Sequence, residues 1–265
     1  MKLLPSRVIN ASGKSVISRL LFCLGLVTTL LVLMFSGHAI AKPQALQLDQ
    51  THSFLGKCQL TVSTTGIRIE SKDRLGFVLV SKAPNWQVTV FRNDDKTYYT
   101  QSFKAFCESG MISGFIMKPT ERIVGSPTRA LTTKMLNMSV KSIVEENCSL
   151  KYLKQGVDFA EQAERIIHAA YKIPTNGGIP VYYVKRYDSK DLLTGVQSKY
   201  RSETILNTSK IQVVQCGDSI FNAPTGYKLA KSVLETITGD STRSSDAAFT
   251  ELLEMGRGGL KPAAK

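Results

Sequence analysis

From Leu60 to Phe103 the chain alternates apolar and polar residues, and turn-forming clusters break the pattern at hairpin spacing. Leu60, Val62 and Thr64 alternate with Thr61, Ser63 and Thr65, and Ile67 and Ile69 alternate with Arg68 and Glu70. A period of two is the signature of strands with one buried face. Gly66 to Arg68 marks a bend, Ala83-Pro84-Asn85 a turn, and Asn93-Asp94-Asp95-Lys96 a polar turn. Trp86, Val88 and Val90 share one face, and the Tyr- and Thr-rich run Thr97 to Phe103 returns as the next strand. Phe77-Val78-Leu79-Val80 is apolar throughout, which fits a strand buried on both faces or beside a cavity. These segments together predict an antiparallel meander.

One helix is expected between Tyr152 and Lys172. Leu153, Val157, Ala160, Ile167 and Ala170, widened by Phe159, Ala163 and Ile166, form its apolar stripe. Glu161 and Arg165 stand four apart on the outer side, and Pro174 with Gly177-Gly178 ends it. Strand pattern resumes at Ile179 to Tyr187, Tyr200 to Leu206 and Lys210 to Cys216. Residues 123–140 read as a strand starting at Ile123-Val124, with a Ser126-Pro127 helix start as the other reading. A last element of unassigned type runs from Lys228 to Ile237. The fold class is α+β, mostly antiparallel β.

The first residues obey a different rule. Met1 to Arg19 carries Lys2, Arg7, Lys14 and Arg19 and no acid, Leu20 to Gly37 is uncharged and mostly apolar, and Ala39-Ile40-Ala41 follows. That order is a secretory signal with a cleavage site. The run 20–37 is also near the roughly 18–20 residues that span a bilayer, so an N-terminal anchor is the second reading. Both place the rest of the chain outside the cytoplasm, in the periplasm or extracellular space. The expected organisation is 1–41 targeting, 42–239 working domain, and 240–265 a loose tail with a short helix at Ala248 to Met255.

Net charge is +13, of which 1–41 holds four positives, leaving about +9. This favours an anionic membrane surface, but the charge is scattered and no nucleic-acid module is recognisable, so nucleic acid is not an expected partner. Cys23 is an apolar filler of the run 20–37. Cys58, Cys107, Cys148 and Cys216 are disulfide candidates. Three pairings are open, and pairing within each half joins Cys58 to Cys107 and Cys148 to Cys216. The cysteine spacings are too wide for a metal site, and no cofactor is implied.

Catalytic signals are sparse. After residue 41 the only histidines are His52 and His168, and His168 reads as a helix-edge residue. Gly217-Asp218-Ser219 spells part of a hydrolase signature without the strand-turn-helix that would expose its serine. Asp94-Asp95 and Glu145-Glu146 read as solvated turns or ends. The expectation is a non-enzyme. Phe77, Leu79, Trp86, Val88, Val90, Tyr98, Tyr182 and Val184 are candidates for an interior face, as a filled core or as a pocket for an apolar ligand.

Short runs add a resemblance. The helix ends in Tyr171-Lys172-Ile173-Pro174, Gly178-Ile179-Pro180-Val181 follows, and the strands close on Ile220-Phe221-Asn222-Ala223-Pro224-Thr225-Gly226-Tyr227-Lys228. With Gly66-Ile67-Arg68 and Ala83-Pro84-Asn85-Trp86, this resembles bacterial exported proteins of the outer-membrane lipoprotein carrier superfamily over roughly residues 54–238. The resemblance implies an incomplete, half-open antiparallel β-barrel with a covering helix, holding a lipid, acyl chain or lipidated protein in an apolar interior. The four cysteines depart from that pattern, and no carrier-specific functional residue is matched. The alternatives are an envelope structural or interaction protein with a filled core and, more remotely, a hydrolase.

Overall fold

A computed structural model describes residues 44–73, 75–111, 120–154, 158–190 and 197–239, with backbone only at 188–190 and 197–200. The targeting segment, Cys23, Val157 and the tail helix expected at 248–255 lie outside the described residues. Contact density separates 1–41 from 42–265, and all that follows concerns the second unit.

Among the described residues twelve strands form one open sheet. They are β1 (Gln44–His52), β2 (Gly56–Val62), β3 (Gly66–Ser71), β4 (Phe77–Lys82), β5 (Val88–Arg92), β6 (Thr97–Gln101), β7 (Leu131–Met135), β8 (Met138–Val144), β9 (Cys148–Leu153), β10 (Ile179–Lys190), β11 (Gln197–Gln215) and β12 (Lys228–Leu229). Their spatial order is β12-β6-β5-β4-β3-β2-β1-β11-β10-β9-β8-β7. Every pairing is antiparallel except β12 with β6. Among the described residues three helices accompany the sheet: α1 (Phe103–Ser109), α2 (Glu161–Tyr171) and α3 (Val233–Thr238). The α+β, mostly antiparallel β class is what the structure has.

The alternation read from the sequence sets one apolar face. Leu46 and Leu48 of β1, Leu60 and Val62 of β2, Ile67 and Ile69 of β3, Phe77 and Leu79 of β4, and Val88 and Val90 of β5 meet in one core. Helix α2 packs into it with Ala163, Ile166, Ile167 and Ala170, an i, i+3, i+4, i+7 stripe. Full burial of a side chain such as Ile166 contributes about 1.5–3 kcal/mol. Lys172 ends the helix in the left-handed region, at φ 53°, with its N–H donating to the His168 carbonyl at 2.9 Å.

The run Phe77 to Val80 is buried on both faces. Val78 and Val80 join Phe91 in a second cluster, on which Tyr98 and Tyr227 pack. The segment after β11 covers that cluster. Phe221 lies against Gly66, where an added Cβ would fall 2.4 Å from the ring. The Tyr227 ring meets Phe91 edge-on at 5.9 Å. Arg92 Nη1 donates to the Ile237 carbonyl at 2.8 Å and so ties α3 to β5.

Several boundaries differ from expectation. The helix starts at Glu161, not near Tyr152, because Tyr152 and Leu153 pair with β8 and β10 and are buried as strand residues. Phe103 opens α1 instead of ending β6, and Ser102 caps that helix. Ile123-Val124 is not a strand. Ser126 caps a single 3-10 turn at Pro127–Arg129, and the strand begins at Leu131. The two strands expected across 200–216 are one, β11, with Ser209 as a bulge whose hydroxyl donates to the Asp49 carbonyl. The last element divides into β12 and α3.

Candidate functional site

Helix α2 spans the apolar face, and its two ends differ in chemistry. At its C-terminal end the alternation of β1 continues beyond Leu48 with two polar residues, Gln50 and His52, both buried. Gln50 is flanked in register by Thr208 of β11 and Cys58 of β2, and Cys58 by Ser71 of β3. Tyr171 reaches into this row. Its hydroxyl donates to Gln50 Oε1 at 2.9 Å and lies 3.6 Å from Cys58 Sγ. Gln50 Nε2 donates to the Pro180 carbonyl and to Thr208 Oγ1, both at 3.0 Å. His52 Nδ1 accepts from the Phe54 and Leu55 amides at 3.2 Å, which leaves the proton on Nε2 to donate to the Tyr171 carbonyl at 3.0 Å.

These groups are held neutral. Burial pushes His52 down to about 4, against the opposing effect of the Tyr171 carbonyl. Burial pushes the Cys58 thiol up to about 11. A thiol so protonated is a poor nucleophile, and an imidazole with both nitrogens engaged is a poor base. The arrangement is a polar clamp that fastens α2 to β1, β2, β10 and β11.

A second set fastens the flank of α2. Glu164 is 1% exposed, yet it pairs with Arg122 Nη1 at 2.8 Å and accepts from the Thr175 hydroxyl. The Asn176 side chain bonds both backbone groups of Val124. His168 Nδ1 bonds the Ile173 carbonyl at 2.8 Å, and burial lowers its affinity for a proton.

The N-terminal end of α2 is the open one. Ala160 stands at the cap position and supplies no side-chain hydrogen bond. A cavity of about 470 Å³ lies there, bordered by Thr64, Lys154, Asp158, Phe159, Glu161, Glu164 and Gly177. Thr64 belongs to the β2–β3 turn, and Phe159 packs on the main core. The cavity therefore marks the seam between the sheet and the start of α2. Its volume is in the range of small-ligand sites, about 300–1,000 Å³.

The structure divides the eight interior candidates. Phe77, Leu79, Trp86, Val88 and Val90 share the main core. Phe77, Leu79 and Val88 are 0% exposed and Val90 1%, so no water-sized space touches them. Tyr98 is on the opposite face. It pairs with Phe91, and it is Tyr99 that lies across from Val90. Tyr182 is half-buried beneath Lys151 Nζ, 5.5 Å from the ring centre, and Val184 is buried outside both clusters.

No disulfide joins the four described cysteines in this structure, where each stands free. Cys148 sits opposite Lys185, which sits opposite Glu203, and Cys216 follows thirteen residues after Glu203. At strand rise that is about 40 Å, against the roughly 7 Å between Cα atoms that a disulfide tolerates. Cys58 faces Tyr171 beneath α2, whereas Cys107 lines a smaller cavity with Arg122, Glu161, Arg165 and His168 on the helix flank.

The Gly217-Asp218-Ser219 tripeptide forms a 3-10 turn that clasps the β2–β3 hairpin, with Thr65 donating to Asp218 at 3.0 Å. This is the Val62 end of the sheet. His52 lies six residues further along β1 than Leu46, the partner of Val62, which is about 20 Å away. Ser219 and His52 therefore form no catalytic pair. Asp94 is not merely solvated: hydrogen bonding and charge from Arg92 hold its carboxyl at about 2.

Sequence reasoning missed Gln50, Cys58 and Tyr171 as a unit, and missed Ser71, Ser81 and Gln101. The available signal was polar residues standing at core-face parity. Among the described residues no cluster of three or more metal-ligating side chains occurs, and no helix is long and apolar enough to cross a membrane. No protein-family model matches the chain, and no curated protein matches it.

Proposed function

We propose that this chain is an exported, non-catalytic binding protein of the cell envelope. It takes a lipid, an acyl chain or a lipidated protein between its sheet and α2. In this reading the open sheet is an incomplete, half-open barrel and α2 is its cover, in keeping with the resemblance to the lipoprotein carrier superfamily. The run 20–37 supplies the export signal or anchor, and the surplus of positive charge suits an anionic membrane surface.

One observation carries the reading. The cavity of about 470 Å³ opens where α2 leaves the sheet, at the helix end without a side-chain cap. The other end is clamped through Tyr171, so α2 can lift from its free end while the clamp holds, opening a way to the core that contains Phe77, Leu79, Trp86, Val88 and Val90, whose β5 edge is covered by α3 through Ile237. The state described is then the closed one. Tyr98, Tyr182 and Val184 drop out of the ligand face.

Trp86 is the single tryptophan and is 7% exposed in this core. Titration with oleate is expected to change its emission saturably. An emission spectrum unmoved by oleate contradicts the proposal.

A second reading, an envelope structural or interaction protein with a filled core, is favoured by the 0–1% exposure of Phe77, Leu79, Val88 and Val90. It expects no retained lipid.

A further inference from the structure

Val62, Ile67, Ser81, Val88 and Gln101 are successive cross-strand partners from β2 to β6, so their side chains share the core face. Val62, Ile67 and Val88 are 0% exposed and Ser81 is 1% exposed. Among the described residues, Ser81 Oγ and Gln101 Nε2 are buried without a hydrogen-bond partner. Native folds keep few such atoms, and here two flank a single valine.

Their chemistry says what is missing. A serine hydroxyl and a glutamine amide nitrogen both donate, and Val88 between them offers no side-chain acceptor. Adjacent strands are about 4.8 Å apart, so one oxygen admitted above Val88 when the closed core opens is within reach of both side chains. An sp² oxygen with two lone pairs accepts from two donors at once. The surroundings are apolar: Leu79 precedes Ser81 on the same face, and Val90 follows Val88. The row also lies at the end of the sheet where the Thr64 turn borders the large cavity.

We propose that Ser81 and Gln101 anchor the carbonyl or carboxylate oxygen at the head of an acyl ligand. The hydrocarbon then runs along the apolar face past Leu79 and Val90. This inference rests on the acyl-binding reading above. The oxygen belongs to a free fatty acid or to a lipid ester, and the two sources share the anchor.

The test uses carbonyl-labelled oleate in one arm and carbonyl-labelled phosphatidylglycerol vesicles in the other, with infrared detection of the labelled carbonyl. The wild-type chain is expected to shift that band by hydrogen bonding, and the arm that shifts identifies the source. Ser81→Ala and Gln101→Met are each expected to weaken binding about tenfold and reduce the shift. Neither is expected to lower the thermal midpoint, because each removes an unpartnered buried polar atom. Binding with an unchanged band and affinity in both variants overturns the anchor and leaves the acyl-binding reading standing. A wild-type chain that binds neither probe overturns both.

Discussion

The Tyr171 hydroxyl, on the last turn of α2, donates to Gln50 Oε1 on β1 at 2.9 Å, and both residues are buried. This bond joins the helix to the middle of the sheet. It also fixes the direction in which Gln50 presents its amide to Pro180 and Thr208. Tyr171→Phe leaves Gln50 Oε1 without its donor and is expected to cost about 1–3 kcal/mol in urea unfolding. Tyr171→Ala removes the ring as well and is expected to cost about 3–5 kcal/mol.

The clamp carries a pH dependence through His52. Unfolded His52 takes a proton near 6.5, whereas the buried folded side chain resists until about 4. The unfolded state therefore binds more protons between these values. Stability falls as pH drops from 6.5 to 4 and levels off below, by on the order of 3 kcal/mol from this group. Urea midpoints across that range check it, with His52→Gln expected to flatten the slope. The Cys58 thiol acts at the other extreme. Its ionisation is pushed from 9 to about 11 by burial, so its contribution is lost as pH rises through that interval.

Gly66 is required by space. A Cβ there would fall 2.4 Å from Phe221 Cγ, and Phe221, in the segment that follows β11, is 2% exposed. Gly66→Ala is expected to destabilise by about 1–3 kcal/mol through overpacking. In a Phe221→Ala background the same change should cost much less, and a double-mutant cycle measures the difference.

The cysteines give a chemical test. Alkylation without reductant, followed by peptide mass spectrometry, is expected to find Cys58, Cys107, Cys148 and Cys216 as thiols. Cys107 and Cys216 are half-buried and should react in the native state, while Cys58 and Cys148 wait for unfolding. A peptide pair cross-linked through Cys148 and Cys216 would contradict the strand register.

The meander and α2 were legible because period-two and period-3.6 patterns survive in the sequence. The inward set from Leu60 to Val90 follows from alternation alone. Tyr98 and Tyr99 suit a strand equally, so alternation does not decide which of them faces inward. The choice was made by the four-residue turn at 93–96, which pairs Phe91 with Tyr98. Helix α1 went unseen because seven residues give too little periodicity, although Ser102 is a capping residue. The clamp was not readable because its side chains are up to 158 positions apart. Pairing cysteines by halves of the chain ignored how long β11 is: it carries Cys216 far from the row that holds Cys148.

The central claim is that the apolar face beneath α2 receives an acyl chain. Native mass spectrometry of the chain purified from cell envelopes without delipidation tests it most directly. The account predicts a population heavier by the mass of one lipid or acyl group, which Tyr171→Phe retains and Ser81→Ala combined with Gln101→Met reduces. A single lipid-free mass, unchanged after incubation with oleate, would contradict it.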